Sequence, residues 1–497
     1  MPSTVRTLAL SRFPLCSLLE LLLVLAVLGY VTTRAALLSI THDEALTFMA
    51  FCTRPFAELL SYQSIGASPN NHLLNTLLAA ASINIFGLKE ITLRLPALFG
   101  AVLYCLGIWG AVRVMCQGWA KPAALSLCLA NAYLLDFFSL ARGYGLALGF
   151  TALGFFFLCR RRATCALAHS FFAASCLALA ALANLAFLNV YLPSLLILAA
   201  LEIRDLRHCL ARWPRWIWRC LLALGPSAGL LAAVYVVPIQ LLNANGQFFF
   251  GGTTGFFHDT LASLLRAYLY APKFETADLT RTACALAALV LVAGLAAAYA
   301  ARQTRSLSAF ASSPGGVFLA LAVAAACSIA LQHALLGSRL VIERAAIYFY
   351  PMAGLAISGL AAFVIEHGAR RAKLCAAAFL AVLAAAALAY ALSQANLTHT
   401  RDWRYGACTR AMALQIAAGG KTARVVTNSL YAPGLVFYIA ANNWYWMDWR
   451  SLDERLSPAT THYLLARAEL DALAAQRPLA RVAFCPVSDM QLAVPAP

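Results

Sequence analysis

The chain is 497 residues long, 62% hydrophobic and only 11% charged, with a formal net charge of +17. A soluble protein carries about a quarter charged residues, and a globule of this length still needs a polar surface, so the composition excludes a water-soluble fold. The basic excess lies in short clusters between apolar runs, the pattern of loops flanking membrane spans rather than of a nucleic-acid-binding face, so no nucleic acid is expected as a partner.

Apolar runs of about 20 residues, enough to cross a bilayer, recur through the first four-fifths of the chain. About eleven spans are expected, near 15–38, 93–115, 122–140, 143–159, 164–183, 185–201, 220–242, 282–301, 315–336, 346–366 and 374–392. The first is too long for a cleaved signal peptide, is interrupted by Glu20, and is followed by further spans. Segment 73–88 is short and holds Asn75, Ser82 and Asn84, which suits an interfacial or re-entrant helix. With the N-terminus inside, every inner loop is basic: Arg113 and Lys121, Arg160 to Arg162, Arg204 to Arg219, Arg302 and Arg305, Arg370 to Lys373. The long segments 39–92, 243–281 and 393–497 then face outward. The expected fold is an all-α polytopic membrane domain, residues 1–392, followed by a small extracytoplasmic α/β domain, residues 393–497.

Within that last segment, helices are expected near 404–418 and 433–441, with strands at Arg424–Asn428 and around Tyr463-Leu464-Leu465. The fifteen cysteines fall mostly inside apolar runs and form no CxxC pair. Only Cys408 and Cys485 lie in the polar tail. They either pair as a disulfide in an oxidising compartment or stay as two buried thiols. Asn396-Leu397-Thr398 fits a glycosylation sequon, a pattern common by chance.

The first outer loop opens with Thr41-His42-Asp43-Glu44. Two carboxylates beside an apolar run invite a functional explanation. Thr41 and Glu44 fit a capping box, which gives Glu44 a structural task. Asp43 is left without one, although a first-turn acid can also simply satisfy the helix dipole. The loop continues through Ser68-Pro69-Asn70-Asn71-His72, where an Asn can cap a helix. It closes on Arg94-Leu95-Pro96, where the proline fits a first helical turn. After the third span comes Asp136-Phe137-Phe138-Ser139-Leu140-Ala141-Arg142-Gly143-Tyr144. Here Asp136 and Arg142 also suit an interfacial ion pair and Tyr144 an aromatic belt.

The order of these pieces resembles the GT-C glycosyltransferases, specifically the glycosyltransferase family 39-like branch of protein O-mannosyltransferases and the aminoarabinose-to-lipid-A transferase. The resemblance rests on His42-Asp43-Glu44-Ala45, on Asn70-Asn71-His72 in place of a His-Pro-Pro-type segment, on Arg94-Leu95-Pro96, on Arg142-Gly143-Tyr144, and on Arg344 to Pro351 near a late span. It departs at Leu73-Leu74, where that branch has Pro-Pro.

The resemblance implies a polyprenyl-phosphate-linked sugar donor attacked by an acceptor hydroxyl of a glycolipid, polysaccharide or protein. It implies Asp43 as the general base, since a hydroxyl needs a carboxylate to take its proton, with Glu44 beside it as a further catalytic candidate. The leaving phosphate needs cations; Arg142 and Arg344 come first, then Arg339, Lys273 and Arg266. His42, Asn71, His72, Asp136 and Tyr144 complete the candidates, Asp136 either holding an arginine or binding acceptor. No cofactor is certain. A divalent metal is left open, with His42, Asp43, Glu44 and His72 as the groups to gather round it. The expected location is a bacterial inner membrane, N-terminus cytoplasmic. A transporter or lipid flippase is the alternative, but transporters place ionisable sites near the bilayer midplane, often with repeated halves. A noncatalytic assembly protein would leave Asp43 dispensable.

Overall fold

A computed structural model describes residues 15–62, 68–205, 212–270, 276–304, 310–420 and 422–496. The helices run, in order, α1 Leu15–Leu37, α2 His42–Thr47, α3 Phe56–Ser61, α4 Leu73–Phe86, α5 Glu90–Met115, α6 Ala120–Leu129, α7 Ala132–Phe138, α8 Tyr144–Thr164, α9 Leu167–Ala183 and α10 Leu188–Asp205. They continue with α11 Arg212–Ala244, α12 Ala262–Tyr268, α13 Thr276–Thr304, α14 Pro314–Leu336, α15 Phe349–His367 and α16 Arg370–Ser393.

Eight helical segments among the described residues are long and apolar enough to cross a membrane: α1, α5, α10 with its preceding turn, α11, α13, α14, α15 and α16. Their outer faces leave Leu22, Leu25, Leu222, Val290, Leu335 and Leu374 exposed, which only an apolar surrounding tolerates over such an area. The three other expected spans appear as helices of a different kind. Residues 122–140 break into α6 and α7 at Ala130–Asn131, because the Asn131 side chain turns back to accept the Leu134 N–H and restarts the helix. The expected span 164–183 is the 17-residue α9, and 143–159 is the 21-residue α8, whose last turn carries Arg161 and Arg162. At about 1.5 Å per residue, the 14 residues of α4 are too short to cross about 30 Å of hydrocarbon.

Small residues set the bundle's closest packing, as expected where lipid gives helices no hydrophobic reason to associate. A Cβ on Gly149 of α8 would sit 2.4 Å from the Gly100 carbonyl oxygen of α5, and one on Gly107 would sit 2.4 Å from the Ala152 carbonyl carbon. The two backbones therefore touch. Buried charges are paired within the bundle: Glu20 accepts from Arg113 at 2.9 Å and Trp109 at 2.5 Å, and Glu202 accepts from Arg161, Ser170 and Arg219 at 2.6–2.7 Å. Pro96 lies inside α5 rather than in its first turn, since the helix already begins at Glu90.

Beyond α16 lies a five-stranded sheet flanked by three helices. β1 Ala423–Thr427, β2 Met447–Arg450, β3 His462–Ala466, β4 Leu479–Phe484 and β5 Met490–Pro495 take the order β2-β1-β3-β5-β4. β1 is parallel to β2 and β3, and the β5 pairings are antiparallel. The helices are α17 Thr409–Ala418, α18 Ala432–Asn442 and α19 Arg467–Ala474. The first is shorter than expected; residues 404–406 form only a 3-10 turn. Cys408 and Cys485 are bonded as a disulfide.

Candidate active site

The site gathers where α1 ends, between α2, the start of α4, the turn from α7 to α8, and two later segments. Thr41 starts α2: its backbone is extended, and its side chain and that of Glu44 form the reciprocal capping box. Glu44 is fully buried. It binds Arg94 through two 2.8 Å contacts and also accepts from the Thr41 N–H, the Thr41 hydroxyl and the Ala141 N–H. Burial pushes its carboxyl up, but Arg94 and these donors outweigh that and hold it below the usual range. With both oxygens filled, the expected catalytic role for Glu44 gives way to a scaffold role: it ties α2 to α5 and to the α7–α8 turn.

Asp43, one residue earlier on a helix that turns about 100° per residue, faces the other way. One carboxylate oxygen lies 3.3 Å from Arg142, and the side chain keeps 18% of its exposure. Burial pushes this carboxyl up. The positive charges of Arg142 and Arg344, with His42 and a hydrogen bond from Trp403, outweigh burial and hold it below the usual carboxylate range. Asp43 is thus ionised at neutral pH and keeps part of its surface exposed.

Arg142 is almost wholly buried. Its guanidinium contacts the Asp43 carboxylate and carbonyl, the Thr47 hydroxyl and the Asn70 side-chain oxygen. Gly143 makes this possible. A Cβ there would meet the Ala183 carbonyl oxygen at 2.0 Å and the His72 Cβ at 2.8 Å. Only glycine lets the turn lie on His72 with Arg142 and Tyr144 on either side. His72 packs edge-on to Tyr144 at 5.5 Å, is 4% exposed, and has no partner for either ring nitrogen. Burial, then the charges of Arg142 and Arg344, hold the imidazole well below its ordinary pKa, so it is neutral.

Arg344 lies in a short 3-10 helix, Glu343–Ala346. Its guanidinium lies over Phe250 at 4.9 Å and Trp403 at 5.3 Å and contacts Asp402 at 3.6 Å. It therefore reaches the same pocket as Asp43 from the far side of the sequence. The other candidates fall elsewhere. Asn71 donates its side-chain N–H to the Leu59 carbonyl and its backbone carbonyl accepts from Tyr62, while its buried side-chain oxygen has no partner among the described residues. Asp136 takes the first of its two expected roles: it is buried against Arg34 at 2.5 Å and accepts from Tyr270 and the Arg401 N–H. His42 turns to the Leu430 carbonyl at 3.1 Å. Arg339 is exposed beside Gly251, next to the Phe250 that covers Arg344. Lys273 lies outside the described residues. His42, Asp43, Glu44 and His72 do not converge, and among the described residues no three His, Cys, Asp or Glu side chains are grouped to hold a metal ion.

The sequence reading missed the segment after α16. Asp402 accepts from Arg401 at 2.6 Å and Tyr133 at 3.0 Å, Trp403 is buried against Arg344, and Tyr405 lies close enough to Asp43 for that charge, after burial, to push its phenol up. One signal was there: Thr400-Arg401-Asp402-Trp403-Arg404-Tyr405 is dense in charge and aromatics just past the last apolar run.

No family model matches the sequence, and none of the curated proteins does. Solved structures do match. ArnT from Cupriavidus metallidurans, in its structure bound to undecaprenyl phosphate, superposes with a TM-score of 0.50 at 13% identity, over 96% of this chain and 97% of that one. The chain has the GT-C glycosyltransferase fold. Apo ArnT from the same organism gives 0.48 at 13% identity over 95% and 97% of the two chains. The arabinofuranosyltransferase AftD from Mycobacteria gives 0.47 at 13% identity over 98% of this chain and 40% of that one. In this chain Asp43, Arg142, His72, Tyr144 and Arg344 come together, joined by Trp403 and Asp402.

Proposed function

We propose that the chain is a membrane glycosyltransferase that moves a sugar from a polyprenyl-phosphate donor to an acceptor hydroxyl at the outer membrane surface, with the C-terminal sheet on that side. The observation that carries this reading is the part-exposed, ionised Asp43 carboxylate, paired with Arg142 at 3.3 Å and within the field of Arg344. A similar fold has been solved with undecaprenyl phosphate bound, which supports a lipid-phosphate ligand here.

The acceptor hydroxyl is a weak nucleophile at neutral pH. As its oxygen bonds to the anomeric carbon, its proton passes to Asp43. The bond from that carbon to the phosphate oxygen breaks, and the electron pair leaves with the polyprenyl phosphate. Arg142 and Arg344 stabilise the charge that grows there, in a setting where fixed cations act more strongly than in water. A glycolipid, polysaccharide or protein hydroxyl meets the acceptor requirement equally.

The test uses the full chain in proteoliposomes supplied with a panel of polyprenyl-phosphate sugars and membrane-extract acceptors. Wild type transfers sugar from at least one donor. Asp43→Asn lowers transfer by about 10²–10⁴-fold, the usual worth of a positioned base, while folding normally. Full transfer by Asp43→Asn removes the base, and no transfer from any lipid-linked donor removes the reading.

A further inference from the structure

The Cys408–Cys485 disulfide and the segment that ends on it stand outside the chemistry assigned above. This segment leaves α16 and first passes Arg34, whose guanidinium donates to the Asn396 and His399 carbonyls at 3.1 and 2.8 Å. The Arg401 N–H then donates to Asp136 at 3.0 Å. Asp402 lies between Arg401, Arg344 and Tyr133. Trp403, 4% exposed, faces the Arg344 guanidinium at 5.3 Å, packs on Phe137 at 6.2 Å and lies near enough to Asp43 to help hold that carboxyl low. The Gly406 N–H closes a turn on the Trp403 carbonyl at 3.1 Å. Past the indole, Arg404 donates to the Val487 carbonyl at 2.7 Å, and Cys408 is bonded to Cys485. Val487 and Cys485 both belong to the turn that joins β4 to β5.

We propose that residues 398–408 form a strap completing the active site, in which Trp403 positions Asp43 and Arg344 against each other and the Cys408–Cys485 disulfide holds the strap in place. Trp403 has no acid–base chemistry to contribute, but it lies against the Arg344 guanidinium and close to the Asp43 carboxylate. The strap is pinned on either side of it, by Arg34 and Asp136 before and by the β4–β5 turn after. The sheet is on this view the anchor of a catalytic segment. Since the anchor includes a disulfide, site geometry depends on an oxidising compartment.

This inference rests on the proposed role of Asp43. The charged and titratable groups facing that carboxylate are His42 from its own helix, Arg142 from the α7–α8 turn, Arg344 from the 343–346 helix and Tyr405 from the strap. A hydrogen bond to a carboxylate favours its ionised form. Removing the indole N–H therefore moves the acid limb of the kcat/KM profile to higher pH.

The experiment measures transfer against pH for the full chain in proteoliposomes, comparing wild type, Trp403→Phe and the double variant Cys408→Ser/Cys485→Ser, each with and without dithiothreitol. Trp403→Phe is expected to lower kcat by about ten- to a hundredfold, as small misplacements do, and to shift the acid limb upward. Dithiothreitol shifts the wild-type limb the same way and leaves the double variant without further change. If both perturbations leave the limb where it is, or reduce activity only in proportion to folded protein lost, the strap has a merely structural role and the inference fails. An Asp43→Asn variant that still transfers sugar instead removes the underlying reading. Loss of transfer in Asp43→Asn with an unmoved limb in Trp403→Phe sinks the strap alone.

Discussion

Replacing Glu44 by glutamine separates scaffold from chemistry. Glu44 and Arg94 are both fully buried and meet through two 2.8 Å contacts, and three further donors fill the carboxylate. Glutamine keeps one acceptor oxygen and turns an N–H₂ toward a guanidinium that then has no counter-charge. Breaking a buried pair from one side costs about 3–5 kcal/mol, against a net stability of about 5–15 kcal/mol for a typical fold. The folded-to-unfolded ratio therefore falls by roughly two to four orders of magnitude. Asp43→Asn loses a single, longer contact at 3.3 Å from a carboxylate that is part-exposed, so its loss is smaller than that of Glu44→Gln. The assay is fluorescence-detected size exclusion after a heating ramp in detergent, with transfer measured per folded molecule. Glu44→Gln should melt far below wild type yet turn over normally per surviving molecule, and Asp43→Asn the reverse. Glu44→Leu/Arg94→Met, which removes both charges, should regain most of the lost stability. A Glu44→Gln protein that folds like wild type but does not turn over would make Glu44 the base and refute the division of roles.

Two further predictions concern the frame around the site. Gly149→Ala places a methyl 2.4 Å from the Gly100 carbonyl oxygen and pushes apart the helices that carry Arg94 and the Arg142 turn; it should lose about 1–3 kcal/mol, visible as a lower melting temperature, whereas Gly229→Ala, with open space around it, should not. His72 is held neutral below its ordinary pKa of 6.5, so as pH falls through 6.5 the unfolded chain takes a proton that the folded one refuses. Stability contributed above that pH is lost on acidification by up to about 1.4 kcal/mol per pH unit, and His72→Gln should flatten the melting temperature between pH 7 and 5. Equal slopes for the two proteins would mean that His72 does not titrate as placed.

Much of this frame could be read locally. The capping box of Thr41 and Glu44 is a four-residue pattern, and the structure has it, with Asp43 outside the box and paired with Arg142 instead. The strands expected at Arg424–Asn428 and around Tyr463-Leu464-Leu465 are found at Ala423–Thr427 and His462–Ala466. What could not be read depends on distance along the chain. Arg34 meets Asp136 across 102 residues and the Arg401 N–H meets Asp136 across 265, and hydrophobic periodicity carries no information about such pairs. The break at Ala130–Asn131 was hidden because a single asparagine barely lowers the hydropathy of the run containing it. Trp403 was assigned to the sheet domain for the same reason: composition changes at residue 393, while the site reaches past that boundary.

The distances within the charged cluster suggest how the proposed site changes when it is loaded. Arg34–Asp136, Arg94–Glu44 and Arg401–Asp402 are tight, at 2.5, 2.8 and 2.6 Å. Arg142–Asp43 and Arg344–Asp402 are looser, at 3.3 and 3.6 Å. The loose pairs are those of the two arginines assigned to the phosphate, so a phosphate can take them over without disturbing the tight pairs that hold the helices. Under the proposed mechanism this exchange also activates the base. In the empty site Arg142 and Arg344 hold the Asp43 carboxyl low, which makes it a weak proton acceptor. A bound phosphate shares those charges and adds its own negative charge nearby, and both effects raise the carboxyl toward the range where it accepts a proton well. On the proposed mechanism Asp43 would then be a better base with a donor in place than without one.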